Sequence, residues 1–225
     1  MCADVNRVRQ YDSSSRQEQA KRNRSTILEE ARRLFLDHGF AATTMPDIAS
    51  AAGVSVQTVY KVFRNKPGLA KAVFDVAIAG DDEPVPVLQR ERLSRVRNEP
   101  DPRTKFQLYG EHLAAVAPRH VPIQLVILAA AATDPEAGKV WDQLQEERLT
   151  GMSLFARSLH SEGHLRPGIS ATEARDVLWT YNSAELFKLL VIERGWSSRR
   201  YGQWIADALS AALLPQDEVR TPAND

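Results

Sequence analysis

The chain has 225 residues, 43% apolar, 26% charged and 7% aromatic, which allows one large or two modest domains with a real core and excludes a disordered, collagen-like or mucin-like chain. A single cysteine, Cys2, excludes an internal disulfide and a cysteine metal cluster, and points to a reducing, intracellular setting. Net charge is zero, yet residues 1–75 carry a surplus of four positive charges and the rest the matching negative surplus, so one end suits an anionic partner.

Residues 1–13 read as a loose basic arm. Helix is then predicted from about Ser14 to His38, with Ile27, Leu28, Ala31, Leu34 and Phe35 on one face and Gly39 as its stop. Thr44 can cap the next helix, with Asp47 three residues on and Pro46 in the first turn. Gly53 ends that helix, Ser55 can cap another that runs to about Phe63, and Asn65 a fourth over residues 66–79. Asp81-Asp82-Glu83-Pro84-Val85-Pro86 marks a boundary, so one domain is expected over 14–80 and a larger helical domain over 81–214. Further helices are predicted over about 87–97, 103–117, 121–132, 136–162, 170–194 and 198–214, with breaks at Pro118, Asp134-Pro135, Gly163 to Gly168, and Gly195. Residues 215–225 form a polar tail. No period-two alternation survives, so the fold class is all-α. The most apolar stretch, Val121–Thr133, contains Pro122 and Gln124 and is shorter than the ~20 residues of a bilayer span. No apolar core follows the N-terminal basic residues as in a secretory signal. No membrane partner is expected, and the location is taken as cytoplasmic.

Residues 45–63 have the requirements of a helix-turn-helix. Ala49 is small where two helices touch, Gly53 permits the sharp turn, and Ile48, Ala52, Val54, Val59 and Val62 can lock the pair. The second helix then presents Ser55, Val56, Gln57, Thr58, Tyr60 and Lys61. Gln can pair bidentately with adenine, Thr or Val can meet a thymine methyl, and Lys can reach guanine or phosphate. Ser55 and the first N–H groups of the helix can hold a phosphate. A plain structural hairpin is the alternative.

The run from Thr43 to Ala49, then Ala52-Gly53-Val54-Ser55, Thr58 to Phe63 and Asn65-Lys66, resembles the signature of the tetracycline-repressor (TetR) family of bacterial regulators over about residues 24–75. Pro67-Gly68 departs from the pattern, where relatives more often have an acidic residue and a helix former. An Arg194-Gly195-Trp196 turn is also shared with many relatives. The resemblance implies that Tyr60 and Lys66 hold phosphates, that Gln57, Thr58 and Lys61 face base edges, and that Thr44 meets the DNA backbone. Arg7, Arg9, Arg16, Lys21, Arg22 and Arg24 could extend this contact by counterion release, or form a solvated face.

The same resemblance implies a C-terminal domain for ligand binding and dimerisation. Its last two long helices would pair with their mates through Leu178, Leu186, Trp204, Ile205, Ala208, Leu209 and Ala212, giving a homodimer on a palindromic double-stranded DNA operator. Burial within one chain would satisfy these stripes equally. A small, mostly apolar effector would sit among Tyr109, His112, Gln124, Trp141, Met152, Phe155, Trp179 and Asn182, though core packing explains such residues as well. His160 and His164 have metal spacing, but Gly163 separates them and no third ligand is near, so neither a metal nor a cofactor is expected. No hydrolase elbow, phosphate loop or dinucleotide turn is present, and no catalytic residue is assigned. Three readings stand: a repressor released from DNA by a ligand, a DNA-binding regulator without a small-molecule ligand, and a helical enzyme or sensor with a vestigial helix-turn-helix.

Overall fold

The computed structural model describes residues 4–85 and 89–216, with side chains from residue 15 on. Ten α-helices occur among the described residues, and no strand: α1 (Asp4–Ala42), α2 (Met45–Ala51), α3 (Val56–Phe63), α4 (Lys66–Ala79), α5 (Glu91–Asn98), α6 (Pro102–Ala131), α7 (Pro135–Ser161), α8 (Ala171–Tyr181), α9 (Ala184–Phe187), which continues as a π-helical turn (Lys188–Glu193), and α10 (Ser198–Leu213). They form two units. One comprises the chain through Asp82 with Pro122–Trp141, and the other Glu83–Val121 with the chain from Asp142 on.

In the first unit, the apolar face predicted for α1 is buried throughout. The helix begins at Asp4, ahead of the predicted start, because no Gly or Pro interrupts residues 4–38. It kinks at Gly39, whose φ is 81°. Phe35 and Phe40 stack across the kink at 5.7 Å between ring centres. Ile48 and Ala49 of α2, Val59 and Phe63 of α3, and Leu69, Ala70, Val73 and Phe74 of α4 complete this core. The side chains of Arg7 and Arg9 lie outside the described residues, as do residues 217–225 of the expected tail and the first residues of the helix predicted from residue 87.

Two expected helix boundaries are corrected. Pro118 does not divide the apolar region: α6 runs unbroken through Pro118 and Pro122. Four residues apart, the two prolines share one helix face. Pro118 is exposed there, so its freed backbone carbonyl can reach water, while Val116, Ala117, Val121 and Ile123 stay buried and hold the helix. By length and apolarity α6 could cross a bilayer, but half of its most apolar window is buried inside the protein, with Lys105, His120 and Gln124 among its buried residues. It is a core helix. The predicted helix over 170–194 is broken at Asn182-Ser183, where Ser183 caps a new start by accepting from the Leu186 N–H at 3.3 Å.

In the second unit, α6 and α10 meet through glycine. A Cβ on Gly110 would lie 2.3 Å from the Gly202 carbonyl oxygen, and one on Gly202 would lie 2.2 Å from that of Gly110. Any side chain at either position would drive the two backbones apart. Lys105 of α6, 1% exposed, reaches Glu162 at 2.6 Å, and Glu162 also accepts from Ser158 and lies 3.0 Å from His164 Nε2. A buried ammonium without such a carboxylate would be costly.

His112 and His120 sit in the same unit as neutral rings. Burial pushes each from its ordinary 6.5 down to about 4, although the hydrogen bond from His120 Nδ1 to the Val116 carbonyl (3.0 Å) acts the other way. The unfolded chain therefore takes up protons below pH 6.5 that the native chain refuses until about pH 4. Stability should be full above pH 6.5 and decline as pH falls toward 4. Denaturant midpoints measured across that range should show the decline, and a His112→Leu, His120→Leu variant should show a shallower one.

Candidate nucleic-acid interface

Thr44 and Asp47 close a capping box at the start of α2. The Thr44 hydroxyl donates to Asp47 Oδ2 at 2.6 Å, the Asp47 N–H donates back to Thr44 Oγ1 at 3.2 Å, and the Thr44 N–H reaches Asp47 Oδ2 at 3.1 Å. These bonds, the hydroxyl's first, hold the Asp47 carboxyl below its ordinary range. Gly53 turns the chain with φ 64°. Ser55 caps α3, accepting from the Thr58 N–H at 3.1 Å, and its hydroxyl lies 2.8 Å from that of Thr58.

Val59 and Phe63, four residues apart, anchor α3 inward. That phase turns Gln57, Tyr60 and Lys61 outward; all three are exposed, and Tyr60 retains 47% of its surface. Thr58 and Val56 are half-buried beside them. The same phase corrects one sequence expectation: Val62 is exposed and does not lock the helix pair, because Phe63 takes the inward position.

Two basic residues have tasks inside the chain. Lys66 donates to the carbonyls of Phe40 at 3.0 Å and Ala41 at 3.4 Å, with its ammonium 4.3 Å from the centre of the Phe40 ring. It thereby caps the end of α1 from the first turn of α4. Arg24 is fixed in a two-pronged pair with Asp82 (2.7 and 3.0 Å) and lies 4.8 Å from the Phe63 ring centre. Arg22 pairs along its own helix with Glu18 at 3.7 Å and Gln19 at 3.1 Å.

The Pro67-Gly68 departure has a physical cause. Arg64 has φ 62°, and the Asn65 N–H donates across it to the Phe63 carbonyl at 2.7 Å, a rare and strained three-residue turn. This folds the Phe63 carbonyl against the first turn of α4. A Cβ on Gly68 would lie 2.8 Å from that oxygen and 3.0 Å from Asn65 Oδ1, which caps α4.

The expected ligand residues divide between the units. Gln124, buried, and Trp141, half-buried, belong to the first. The second brings others together: Tyr109 donates to Met152 Sδ at 3.6 Å, Asn182 Nδ2 lies 3.7 Å from the same sulfur, and Tyr109 packs on Phe155 (5.3 Å) and His112 (6.4 Å between ring centres). Trp179 joins them through Arg148, a residue sequence reading missed. The Arg148 guanidinium lies 4.2 Å from the Trp179 ring centre and donates to the Trp179 and Asn182 carbonyls at 3.1 and 2.8 Å. Its spacing of three from Gln145 and four from Met152 on α7 is the signal that could have exposed it. A shallow depression lined by Arg166 to Ile169, Glu173, Asp176 and Val177 includes none of the expected ligand residues.

The expected dimer residues differ in exposure. Leu178, Ile205 and Leu209 are fully buried within the chain, because α8 and α10 pack on each other. Leu186, Trp204, Ala208 and Ala212 keep partial exposure. On the π-helical turn, Leu189 and Ile192 are 50% and 53% exposed.

Residues 27–73 match the family described as bacterial regulatory proteins, tetR family. The chain is 42% identical over 53 residues to the HTH-type transcriptional repressor ComR of Escherichia coli, covering 24% of this chain and 25% of that protein. It is 43% identical over 58 residues to the HTH-type transcriptional regulator TtgR of Pseudomonas putida, covering 26% and 28%. The matched stretch thus spans about a quarter of the curated relatives' length. Similar folds include native NalD of Pseudomonas aeruginosa, the secondary repressor of the MexAB-OprM multidrug efflux pump (TM-score 0.65, 18% identity, 88% of this chain and all of that one). The transcriptional regulator FadR of Bacillus subtilis in complex with stearoyl-CoA is another (TM-score 0.64, 16% identity, 82% and 96%).

The clash at Gly68 gives a prediction of unusual sign. Alanine normally favours a helix over glycine by ~1 kcal/mol, but Gly68→Ala should destabilise the protein by about 1–3 kcal/mol through overpacking. Lys66→Ala should cost about 1–2 kcal/mol from its lost carbonyl contacts. Chemical denaturation of both variants checks this; a stabilised Gly68→Ala protein would contradict the described turn. Taken together, the capped helix pair, the outward face of α3 and the matched segment show that residues 27–73 carry the helix-turn-helix domain of the tetR family of bacterial regulatory proteins.

Proposed function

We propose that the chain is a sequence-specific transcriptional repressor that binds a palindromic operator as a homodimer and is released by a small effector held in its helical second unit. The observation that carries this reading is the exposed Gln57, Tyr60 and Lys61 on α3, held outward by buried Val59 and Phe63. Gln57 suits adenine and Lys61 guanine or phosphate, while Tyr60 can hold a phosphate at the groove edge. Thr44 and Ser55 sit at helix starts, where backbone N–H groups favour phosphate. The chain acts by binding and not by catalysis, in the cytoplasm where its operator lies.

Half-buried Trp204, Ala208 and Ala212, with exposed Leu189 and Ile192, support the second unit as the dimer surface. A contiguous exposed apolar patch marks an interaction site. A cluster of weakly satisfied polar groups around Tyr109, Met152 and Asn182 supports an effector site in the same unit. An effector would shift the balance by its preference for the state that does not fit DNA.

Selection from a random DNA pool should enrich a palindrome, bound with strong salt dependence. Gln57→Ala should relax the preference at one position of each half-site by about 1–3 kcal/mol while nonspecific affinity persists. Lys61→Ala should instead weaken all sequences alike if it reaches phosphate, and one position if it reaches guanine. No enrichment by the folded protein, with or without effector, would defeat the reading. Separately, Leu189→Glu combined with Ile192→Glu should yield monomers by light scattering and lose operator affinity. An unchanged dimer would move the interface elsewhere.

A further inference from the structure

Three buried hydrogen-bond donors of the second unit lie around one arginine. Trp179 Nε1, Arg148 Nε and Gln145 Nε2 are each shielded from solvent and have no partner among the described residues. All three are donors only. Tyr109 Oη and Asn182 Nδ2 converge on a single thioether, Met152 Sδ, at 3.6 and 3.7 Å. A thioether is a weak acceptor. His112 Nδ1 is also unpartnered, but its ring can donate or accept.

Charge points the same way. Arg148 donates only to neutral groups: the Trp179 and Asn182 carbonyls and Gln145 Oε1 at 2.7 Å. The carboxylate whose field it feels is the exposed Glu185, and no ion pair joins them. In the same unit Lys105, which is buried more deeply, has the Glu162 carboxylate at 2.6 Å. A partly buried guanidinium left without a counter-charge, beside unmade donor bonds, is a costly arrangement that a bound anion would relieve. A cation is disfavoured, since the Trp179 face already carries the guanidinium. The surroundings are apolar: Phe106 and Tyr109 pack edge-on against Phe155, and Phe187 against Tyr201.

We propose that the effector is a small apolar acid whose carboxylate is bound by Arg148, Trp179 and Asn182, with Met152 holding the acceptor position until the acid displaces it. This rests on the reading of the chain as a ligand-responsive regulator and names the chemistry of its effector. Methionine suits the role because its unbranched side chain repacks at small cost. The carboxylate would take bonds from the freed donors, and its tail would lie against Phe155 and Phe187.

The test uses matched probes that differ only in the head group. Benzoate, 1-naphthoate and decanoate are each compared with their neutral amides and with ammonium counterparts, by calorimetry on the full chain without DNA. At least one acid should bind about tenfold or more tighter than its amide, and the ammonium compounds should bind more weakly still. Trp179→Phe and Arg148→Gln should each reduce the acid-to-amide ratio. Loss of folding support alone would weaken acid and amide together and leave the ratio unchanged, and Trp179→Phe keeps an aromatic face while removing the N–H. Equal binding of acid and amide, tighter binding of the ammonium compounds, no binding of any acid, or an unchanged ratio in both variants would each overturn the proposal. Operator binding is measured separately. Release from DNA by neutral or cationic compounds would sink this inference and leave the repressor reading intact. Acid binding that depends on Arg148, in a chain that never selects DNA, would do the reverse.

Discussion

Helices α2 and α3 have seven and eight residues, and helices that short do not persist alone in water. The proposed DNA-reading surface therefore exists only while α1 and α4 support it. Caps at Thr44, Ser55 and Asn65 satisfy N–H groups that the short helices cannot, each worth about 1 kcal/mol. Val59 and Phe63 then fix the rotation of α3 by burial. One helical period decides both faces, so the direction in which Gln57 and Lys61 point is set by the core beneath them. Lys66 and Arg24 serve the same end from outside, one closing α1 and the other tying it to Asp82.

The second unit meets a different constraint, the cost of polar groups inside a helical core. Lys105 resolves it with a carboxylate and a hydroxyl network around Glu162. Arg148 meets it only in part, with neutral oxygens and no carboxylate, and two of those, the Trp179 and Asn182 carbonyls, become available because the chain breaks at Asn182-Ser183. The break and the arginine explain each other. An interrupted helix leaves carbonyls in need of donors, and a guanidinium with five N–H groups in a fixed fork can serve two of them at once. The π-helical turn that follows widens the helix where Leu189 and Ile192 emerge, and such turns recur at working sites.

What the sequence made legible was local. Caps at Thr44, Ser55 and Asn65, the turn at Gly53 and the buried stripe of α1 depend on neighbours within four residues, and each stands where the pattern placed it. Tertiary choices were not legible. Pro118 reads as a helix break because its local cost is real, yet burial on both sides carries α6 through it. The stripe of α10 reads equally as partner surface or core, and α8 claims Ile205 and Leu209 before any partner can. Arg148 looks like one more charge on an amphipathic helix until Trp179 and Asn182, some thirty residues on, come to rest beside it.

The two halves of the proposed switch differ in legibility for the same reason. DNA offers one set of base edges and a regular array of phosphates, so a reader can be built from a few residues on one short helix. An effector has no fixed form, and its site must be assembled from residues far apart in the chain; here Tyr109, Arg148, Trp179 and Asn182 come from three different helices and the residue that ends one of them. What identifies such a site is an imbalance in the finished structure, with donors lacking acceptors and a charge lacking its opposite. That imbalance is visible only after folding, and it specifies the missing chemistry more narrowly than any residue in the cluster does alone.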